Sequence, residues 1–156
     1  MKFISAATGL VLAMGIAAPA SAEQILASNP QSLVNFFFNQ GIPAQLTTDQ
    51  VGDPLVEYRV NGDTNQVYFY DCTDNTNCLA LQFSSGYRLD KPISLETVNG
   101  WNAENRFTFA YLADDGAVWI EFDIATSKDG ISDRDFKDIY DLWVSNLADF
   151  EKTIGW

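Results

Sequence analysis

The sequence predicts an α+β fold, a two-layer sandwich in which helices cover one face of an antiparallel sheet, in the order α-β-β-β-α-β-β-α. Several short segments alternate apolar and polar residues, and turn residues join them as hairpins. A long C-terminal segment repeats apolar residues at helical spacing. A sheet with one apolar face needs a covering layer, which the helices supply.

The first 22 residues have the features of an export signal. Lys2 is followed by an uncharged apolar run and by a small-residue pattern at residues 19–22. Signal peptidase accepts such a pattern, so we expect residues 1–22 to be a signal peptide that is cleaved after Ala22. The alternative is an uncleaved anchor, but the run is shorter than the roughly 20 apolar residues of a spanning helix. Residues 23–156 are then one periplasmic or secreted domain with no membrane span.

The composition limits the possible partners and reactions. The chain has 21 acidic and 9 basic residues, a formal net charge of −12, and no histidine. This charge makes nucleic acid and anionic lipid unsuitable partners. The acidic residues are scattered, which favours a role in solubility over a specific cationic partner. Without histidine, Ser-His-Asp and Cys-His catalysis and ordinary zinc sites are excluded, and we expect no cofactor and no metal.

The first helix is predicted over Pro30–Gln40. Asn29 is suited to its N-cap, proline to its first position and Gly41 to its exit. Apolar residues occur on more than one face of this helix, so we expect it to be largely buried.

Three strands are predicted next, at Leu55–Val60, Gln66–Cys72 and Cys78–Phe83. A four-residue loop, Asn61-Gly62-Asp63-Thr64, would pair Val60 with Asn65 and Tyr58 with Val67. If Cys72 and Cys78 are opposite each other, Phe69 faces Leu81 and Val67 faces Phe83. Both registers give one apolar face, formed by Val56, Tyr58, Val60, Val67, Phe69, Leu79, Leu81 and Phe83. The other face includes Tyr68 and Tyr70, which we predict to face solvent or a partner.

Cys72 and Cys78 are predicted to form a structural disulfide, which would be worth about 2 kcal/mol by the loop-entropy model. A redox pair is the alternative, but the spacing is not that of a C-x-x-C motif. The acidic loops also suggest calcium, with oxygen ligands such as Asp74 and Asn75. These loops lack the glycine and distant glutamate of an EF-hand, so ordinary turns explain them better.

A short helix capped by Ser94 is predicted next, with Leu95, Val98 and Trp101 on one side. Two strands follow, Arg106–Ala113 and Ala117–Ile124. Asp115-Gly116 between them is a strong hairpin signal, and a two-residue loop pairs Asp114 with Ala117. That register places six apolar residues on one face: Phe107, Phe109, Tyr111, Val118, Ile120 and Phe122.

The last helix begins at the capping residue Ser132. Its apolar stripe consists of Phe136, Tyr140, Trp143, Leu147, Phe150 and Ile154. The stripe is predicted to pack across the sheet, and the alternative is that part of it forms a homodimer seam.

Carboxylates are the only general catalysts that the composition leaves available. The candidates are Glu57, Glu96, Glu104, Glu121 and Asp123. A hydrolase would need two of them across one cleft with separated pKa values, and no spacing selects a pair. We therefore expect no catalytic residues.

The segment Val98-Asn99-Gly100-Trp101-Asn102, followed by Arg106-Phe107, resembles the central signature of the YbjN family. This family is described as regulators of bacterial sensory transduction, and the resemblance covers about residues 30–154. It implies a fold similar to type III secretion chaperones, which dimerise and bind extended protein segments. It carries no catalytic residues with it. Trp101 is expected to anchor the short helix, Asn102 to cap its end and Arg106 to pair with Glu104 or Glu121.

These observations predict an exported, non-enzymatic domain that binds a protein partner and forms a homodimer. The partner itself is not named by the sequence. A second hypothesis is a carrier for a small apolar ligand between sheet and helices, based on Phe36, Phe37, Phe38, Trp119 and Trp143. A carboxylate-based hydrolase is the weakest of the three hypotheses.

Overall fold

The computed structural model describes residues 23–60 and 62–156, and it confirms the α+β fold. The predicted signal peptide, with cleavage after Ala22, lies outside the described residues. The elements in chain order are β1 (Gln24–Ile25), α1 (Pro30–Asn39), β2 (Ala44–Thr48), β3 (Pro54–Val60), β4 (Asp63–Tyr70), β5 (Ala80–Tyr87), α2 (Leu95–Glu104), β6 (Phe109–Leu112), β7 (Val118–Ala125), β8 (Ile131–Ser132) and α3 (Asp133–Ile154).

Six strands form one antiparallel sheet in the order β2-β3-β4-β5-β7-β6, and β1 pairs with β8 in a separate two-stranded sheet. The strands β1, β2 and β8 were not predicted from the sequence. The first and last of these are only two residues long. Within β2, Leu46 is the only large apolar residue, so the alternation is weak.

The core lies between the inner face of the large sheet and the helices. All six residues of the predicted α3 stripe are buried there: Phe136, Tyr140, Trp143, Leu147, Phe150 and Ile154. The Trp143 ring stacks on Phe83 with centroids 5.4 Å apart, and its Nε1 donates to Tyr58 Oη at 2.6 Å. The stripe of α3 therefore packs across the sheet, as predicted.

The strand registers were predicted with mixed success. Phe69 faces Leu81 and Val67 faces Phe83, as expected. Val60 pairs with Asp63 rather than with Asn65, so the loop between β3 and β4 is two residues long instead of four. A shift of two residues leaves every side chain on its predicted face.

The predicted pairing of Asp114 with Ala117 is wrong. Ala113 N donates to Ala117 O at 2.9 Å, so the loop between β6 and β7 has three residues, with Gly116 at φ +82°. Glycine in the left-handed region favours such a loop. The one-residue difference reverses the faces of β6, so Phe109 pairs with Glu121 and Tyr111 with Trp119 on the outer face.

Two predicted helix caps are confirmed. Ser94 Oγ accepts from Thr97 N at 3.2 Å, and Ser132 Oγ accepts from Asp135 N at 3.1 Å. Asn29 lies at the N-cap of α1, but its side chain makes no capping hydrogen bond. In the described part of the chain, no helix is long and apolar enough to span a membrane.

Candidate functional site

The outer face of the large sheet is the candidate site, because the helices pack on its other face. We call it the outer face and define it by the residues that strand register places there in β3, β4, β5, β6 and β7. Its central members are Glu57, Tyr68, Tyr70, Gln82, Ser84, Phe109, Tyr111, Trp119, Glu121 and Asp123. The face therefore combines exposed aromatic rings with carboxylates.

Glu121 lies in the middle of this face and is half-buried. Tyr111 Oη donates to its Oε1 at 2.9 Å, and Ser84 Oγ donates to the same atom at 3.4 Å. Partial burial raises the pKa of Glu121, the two hydrogen bonds lower it, and nearby Asp123 raises it, with a net rise. Burial and the contact with Glu121 raise the pKa of Tyr111 to about 12, so this phenol stays a hydrogen-bond donor.

Tyr68 and Tyr70, the predicted partner surface, lie beside this centre. Their rings are 6.5 Å apart, and burial together with nearby carboxylates raises both pKa values. Tyr70 Oη donates to Gln82 Oε1 at 3.3 Å, and Gln82 Nε2 donates to Asp123 Oδ1 at 2.8 Å. These bonds fix the orientation of the side chains without covering them, since Tyr70 remains 45% exposed.

Trp119 lies flat over Gly86 of the neighbouring strand. A Cβ built at Gly86 would come within 2.8 Å of the Trp119 ring. The glycine therefore allows the indole to rest on the backbone of β5, which makes this part of the outer face a smooth aromatic platform. Phe109 and Tyr111 continue it onto β6, and both are more than one third exposed.

Phe109 and Tyr111 were predicted on the same face as Val118, Ile120 and Phe122, because a two-residue loop was assumed where the structure has three. Every residue of β6 is apolar or aromatic, at the odd-numbered and at the even-numbered positions alike. Alternation alone therefore does not show which face of β6 is buried. The buried residues are instead Ala110 and the partly buried Leu112.

The charge of the outer face is negative. Among the strand positions described, it carries the carboxylates Glu57, Glu121 and Asp123 against one cation, Arg59. Gln45 Nε2 donates to Glu57 Oε2 at 2.7 Å and orients that carboxylate. Such a surface suits a positively charged ligand, because carboxylates and aromatic faces both attract cations.

The five candidate catalytic carboxylates are not brought to one cleft. Glu57, Glu121 and Asp123 lie on the open outer face, and Glu96 and Glu104 belong to α2. A depression of about 530 Å³ beside Tyr70 and Gln82 contains Asp123 as its single carboxylate. The depression therefore does not bring together the two carboxylates that a general acid and a general base would require. The described residues also contain no group of three or more cysteine, aspartate or glutamate side chains placed to hold a metal ion.

The five residues proposed for an apolar ligand are separated. Phe36, Phe37 and Trp143 are in the core, where Phe37 stacks on Tyr58 at 4.5 Å. Phe38 is 80% exposed on α1, and Trp119 is on the opposite face of the sheet. They do not line a common cavity.

The signature residues have different roles. Trp101 is buried and packs edge-on against Phe150, with centroids 5.0 Å apart. Asn102 does not cap α2; that position belongs to Asn105, whose Nδ2 donates to Trp101 O at 3.0 Å. Arg106 is exposed, and it forms no ion pair with Glu104, Glu121 or any other described residue.

Asn102 instead binds the edge of the sheet. Its Nδ2 donates to Ala110 O at 2.9 Å, and its Oδ1 accepts from Ala110 N at 2.8 Å. The side-chain amide thus occupies the place that the backbone of another strand would take beside β6. No sequence pattern marks this contact, because it joins a helix residue to a backbone eight positions later.

Cys72 and Cys78 form the expected disulfide, which closes the hairpin of β4 and β5. The acidic loop between them is held by turn bonds, including Thr73 N to Thr76 O at 2.7 Å. Asn75 Nδ2 also donates to Asp53 Oδ1 at 2.8 Å, which fixes the loop against the turn after β2. Turn chemistry therefore accounts for these polar residues.

The model of the YbjN family, described as "putative bacterial sensory transduction regulator", matches residues 29–156. No curated protein and no solved structure shows a significant match to the chain. The matched range includes the outer face, the disulfide and all three helices.

Proposed function

The chain belongs to the YbjN family, and from this premise we propose that it is a non-enzymatic regulatory domain that binds a protein partner on the outer face of its sheet. The observation that carries this proposal is the arrangement of the layers. All three helices cover one face, while the other exposes Tyr70, Phe109 and Tyr111 beside carboxylates. Exposed aromatic patches with polar surroundings are typical of protein interaction sites.

The partner surface is expected to carry arginine or lysine. Glu121 has Tyr111 bonded to it, and Tyr68 and Tyr70 lie close enough for its charge to raise their pKa values. A guanidinium group that reached this centre would meet a carboxylate and several ring faces. Partial burial strengthens such an interaction relative to one in open water.

The domain is proposed to act in the bacterial envelope. The disulfide between Cys72 and Cys78 supports this location, since such bonds persist mainly in oxidising compartments. The export signal predicted for residues 1–22 supports it too. In this setting the partner is an envelope or extracellular protein.

The location of the binding surface is tested by photo-crosslinking in the producing cell. A benzophenone amino acid replaces Tyr70 on the outer face, and a matched variant carries it at Leu95, which is 65% exposed on α2. We expect a discrete adduct from position 70 that is absent from position 95. Equal adducts from both positions, or none from position 70, would contradict the proposal.

The charge of the partner is tested with a short capped peptide that contains two arginines, and with the same peptide carrying neutral citrulline. Binding is followed by nuclear magnetic resonance shifts of the Trp119 indole. We expect the arginine peptide alone to shift this signal, and Glu121→Gln to weaken the response. Glu104→Gln, an exposed change on α2, is the control. Equal responses to both peptides would argue against a cationic partner.

A further inference from the structure

The two edges of the large sheet differ in how they are protected against pairing with a strand of another chain. At one edge, the side chain of Asn102 pairs with both backbone groups of Ala110 in β6. At the other edge, β2 contains no charged residue and no proline, which are common protections against strand pairing. Natural edge strands without such protection are suited to pair with another strand.

The hydrogen bonds of β2 show which of its backbone groups face outward. Arg59 N donates to Pro43 O, and Asp49 N donates to Asp53 O, so odd-numbered residues bond to β3. Bonding direction alternates along an antiparallel strand, and the N–H and C=O groups of Ala44, Leu46 and Thr48 therefore point to the open edge. Within the described residues, no other group accepts from or donates to them.

We propose that β2 pairs with β2 of a second copy of this chain, antiparallel across a two-fold axis, so that two sheets join into one. The strand is centred on Leu46. In this pairing Leu46 lies opposite Leu46 of the second copy, and Ala44 lies opposite Thr48. The outward backbone groups of both strands are then satisfied reciprocally, as a two-fold interface requires.

Exposed apolar residues are distributed along this edge in a self-complementary way. Phe38, 80% exposed, is in the last turn of α1, which leads into β2. Leu46 is 46% exposed at the centre, and Val51, 75% exposed, follows the end of the strand. An antiparallel pairing brings the Phe38 end of one copy to the Val51 end of the other, and the two Leu46 residues together.

Charge favours a second copy as the occupant of this edge. The chain has a net charge of −12, so most contacts between two copies would be repulsive. Residues 29–48, which include α1 and β2, contain no acidic and no basic side chain. Two copies can meet along this segment with less of that repulsion, since the next carboxylates along the chain, Asp49 and Asp53, lie beyond the end of the strand, whereas a cationic partner would find its complement on the outer face.

The pairing is tested by light scattering during size-exclusion chromatography of the natural protein over a range of concentrations. We expect a weak dimer, because a single strand pair buries less than the roughly 1,200 Å² of a stable interface. Leu46→Lys places like charges opposite each other and is expected to give a monomer at every concentration. Phe107→Lys, at an exposed residue near the other edge, should leave the dimer intact. A natural protein that is monomeric throughout would overturn the proposal.

A second variant identifies the register. Directly paired residues have Cα atoms about 5.5 Å apart, which a disulfide can join. Leu46→Cys is therefore expected to yield a covalent dimer under mild oxidation, while Leu95→Cys, exposed on α2, remains a monomer. Circular dichroism verifies that each variant is folded. Equal cross-linking from both positions would also overturn the proposal. Because Leu46 pairs with the core residue Val56, on the side of the sheet opposite the outer face, neither result bears on the binding of a cationic partner there.

Discussion

Asn102 holds Ala110 by two hydrogen bonds, one from its Nδ2 to the carbonyl oxygen and one to its Oδ1 from the backbone nitrogen. Ala110 is 4% exposed, so water has little access to these backbone groups. The contact suits an asparagine side chain, because a planar amide has one donor and one acceptor side by side, as a peptide group does.

Replacement of Asn102 by alanine is expected to destabilise the fold by about 1–3 kcal/mol, since it leaves a buried N–H and C=O without partners. The free energy of unfolding is measured by urea titration. Asn99→Ala, at an exposed position of the same helix, is the control and should cost nothing, because alanine favours helices. Equal losses from both variants would assign the effect to α2 in general rather than to the contact with Ala110.

Gly86 is expected to be required by the Trp119 ring. A Cβ at this position comes within 2.8 Å of the indole, so Gly86→Ala should destabilise by about 1–3 kcal/mol through overpacking. Gly100→Ala in α2 is the matched control. A Cβ there meets nothing within 4 Å, and the change should stabilise the helix by about 0.5–1 kcal/mol.

The cause of the Gly86 effect can be isolated with a second substitution. In a Trp119→Leu background, the ring that opposes the new methyl group is absent, so the cost of Gly86→Ala should shrink. Unfolding free energies of the four proteins form a double-mutant cycle. An unchanged cost would show that the glycine is needed for the backbone of β5 and not for the tryptophan.

The sequence predicted the central part of this fold well, because several independent signals agreed there. The pairing of Val67 with Phe83 followed from alternation in both strands and from two cysteines placed opposite each other. Tyr68 and Tyr70 were consequently assigned to the correct face.

The prediction was wrong for β6, where a loop longer by one residue changes which face each side chain occupies. Asp115-Gly116 suits both a two-residue loop and a three-residue loop with glycine in the left-handed region, and the structure has the latter. The longer loop places Phe109 and Tyr111 on the outer face rather than on the face of Val118, Ile120 and Phe122. The strand β2 was missed for a different reason: it is held by backbone pairing to β3, while its side chains are mostly exposed.

The disulfide is expected to stabilise the folded protein by about 2 kcal/mol, the loop-entropy value for a short closed loop. The double variant Cys72→Ala and Cys78→Ala should therefore unfold at a lower urea concentration than the oxidised natural protein. The control is dithiothreitol, which should lower the stability of the natural protein and leave that of the double variant unchanged. A natural protein that is insensitive to the reductant would contradict the expected stabilisation.

Glu121 should make stability depend on pH in a direction opposite to that of a salt-bridged carboxylate. Partial burial raises the pKa of Glu121 in the folded state, so the folded protein holds its proton more tightly than the unfolded chain. Below the unfolded pKa, about 4.3, the group is protonated in both states and has no effect. As the pH rises through that value and then through the folded pKa, the group becomes destabilising.

Glu121→Gln isolates this effect, since glutamine stays neutral and keeps an oxygen for the Tyr111 hydroxyl. We expect the variant to match the natural protein at acidic pH and to become the more stable of the two as the pH rises to neutrality. Urea titrations on both sides of about pH 4.3 provide the comparison. Glu104→Gln removes one negative charge from an exposed site and reports the effect of net charge alone. If both variants gained equal stability, repulsion across the acidic chain would account for the result, and burial of Glu121 on the outer face would not.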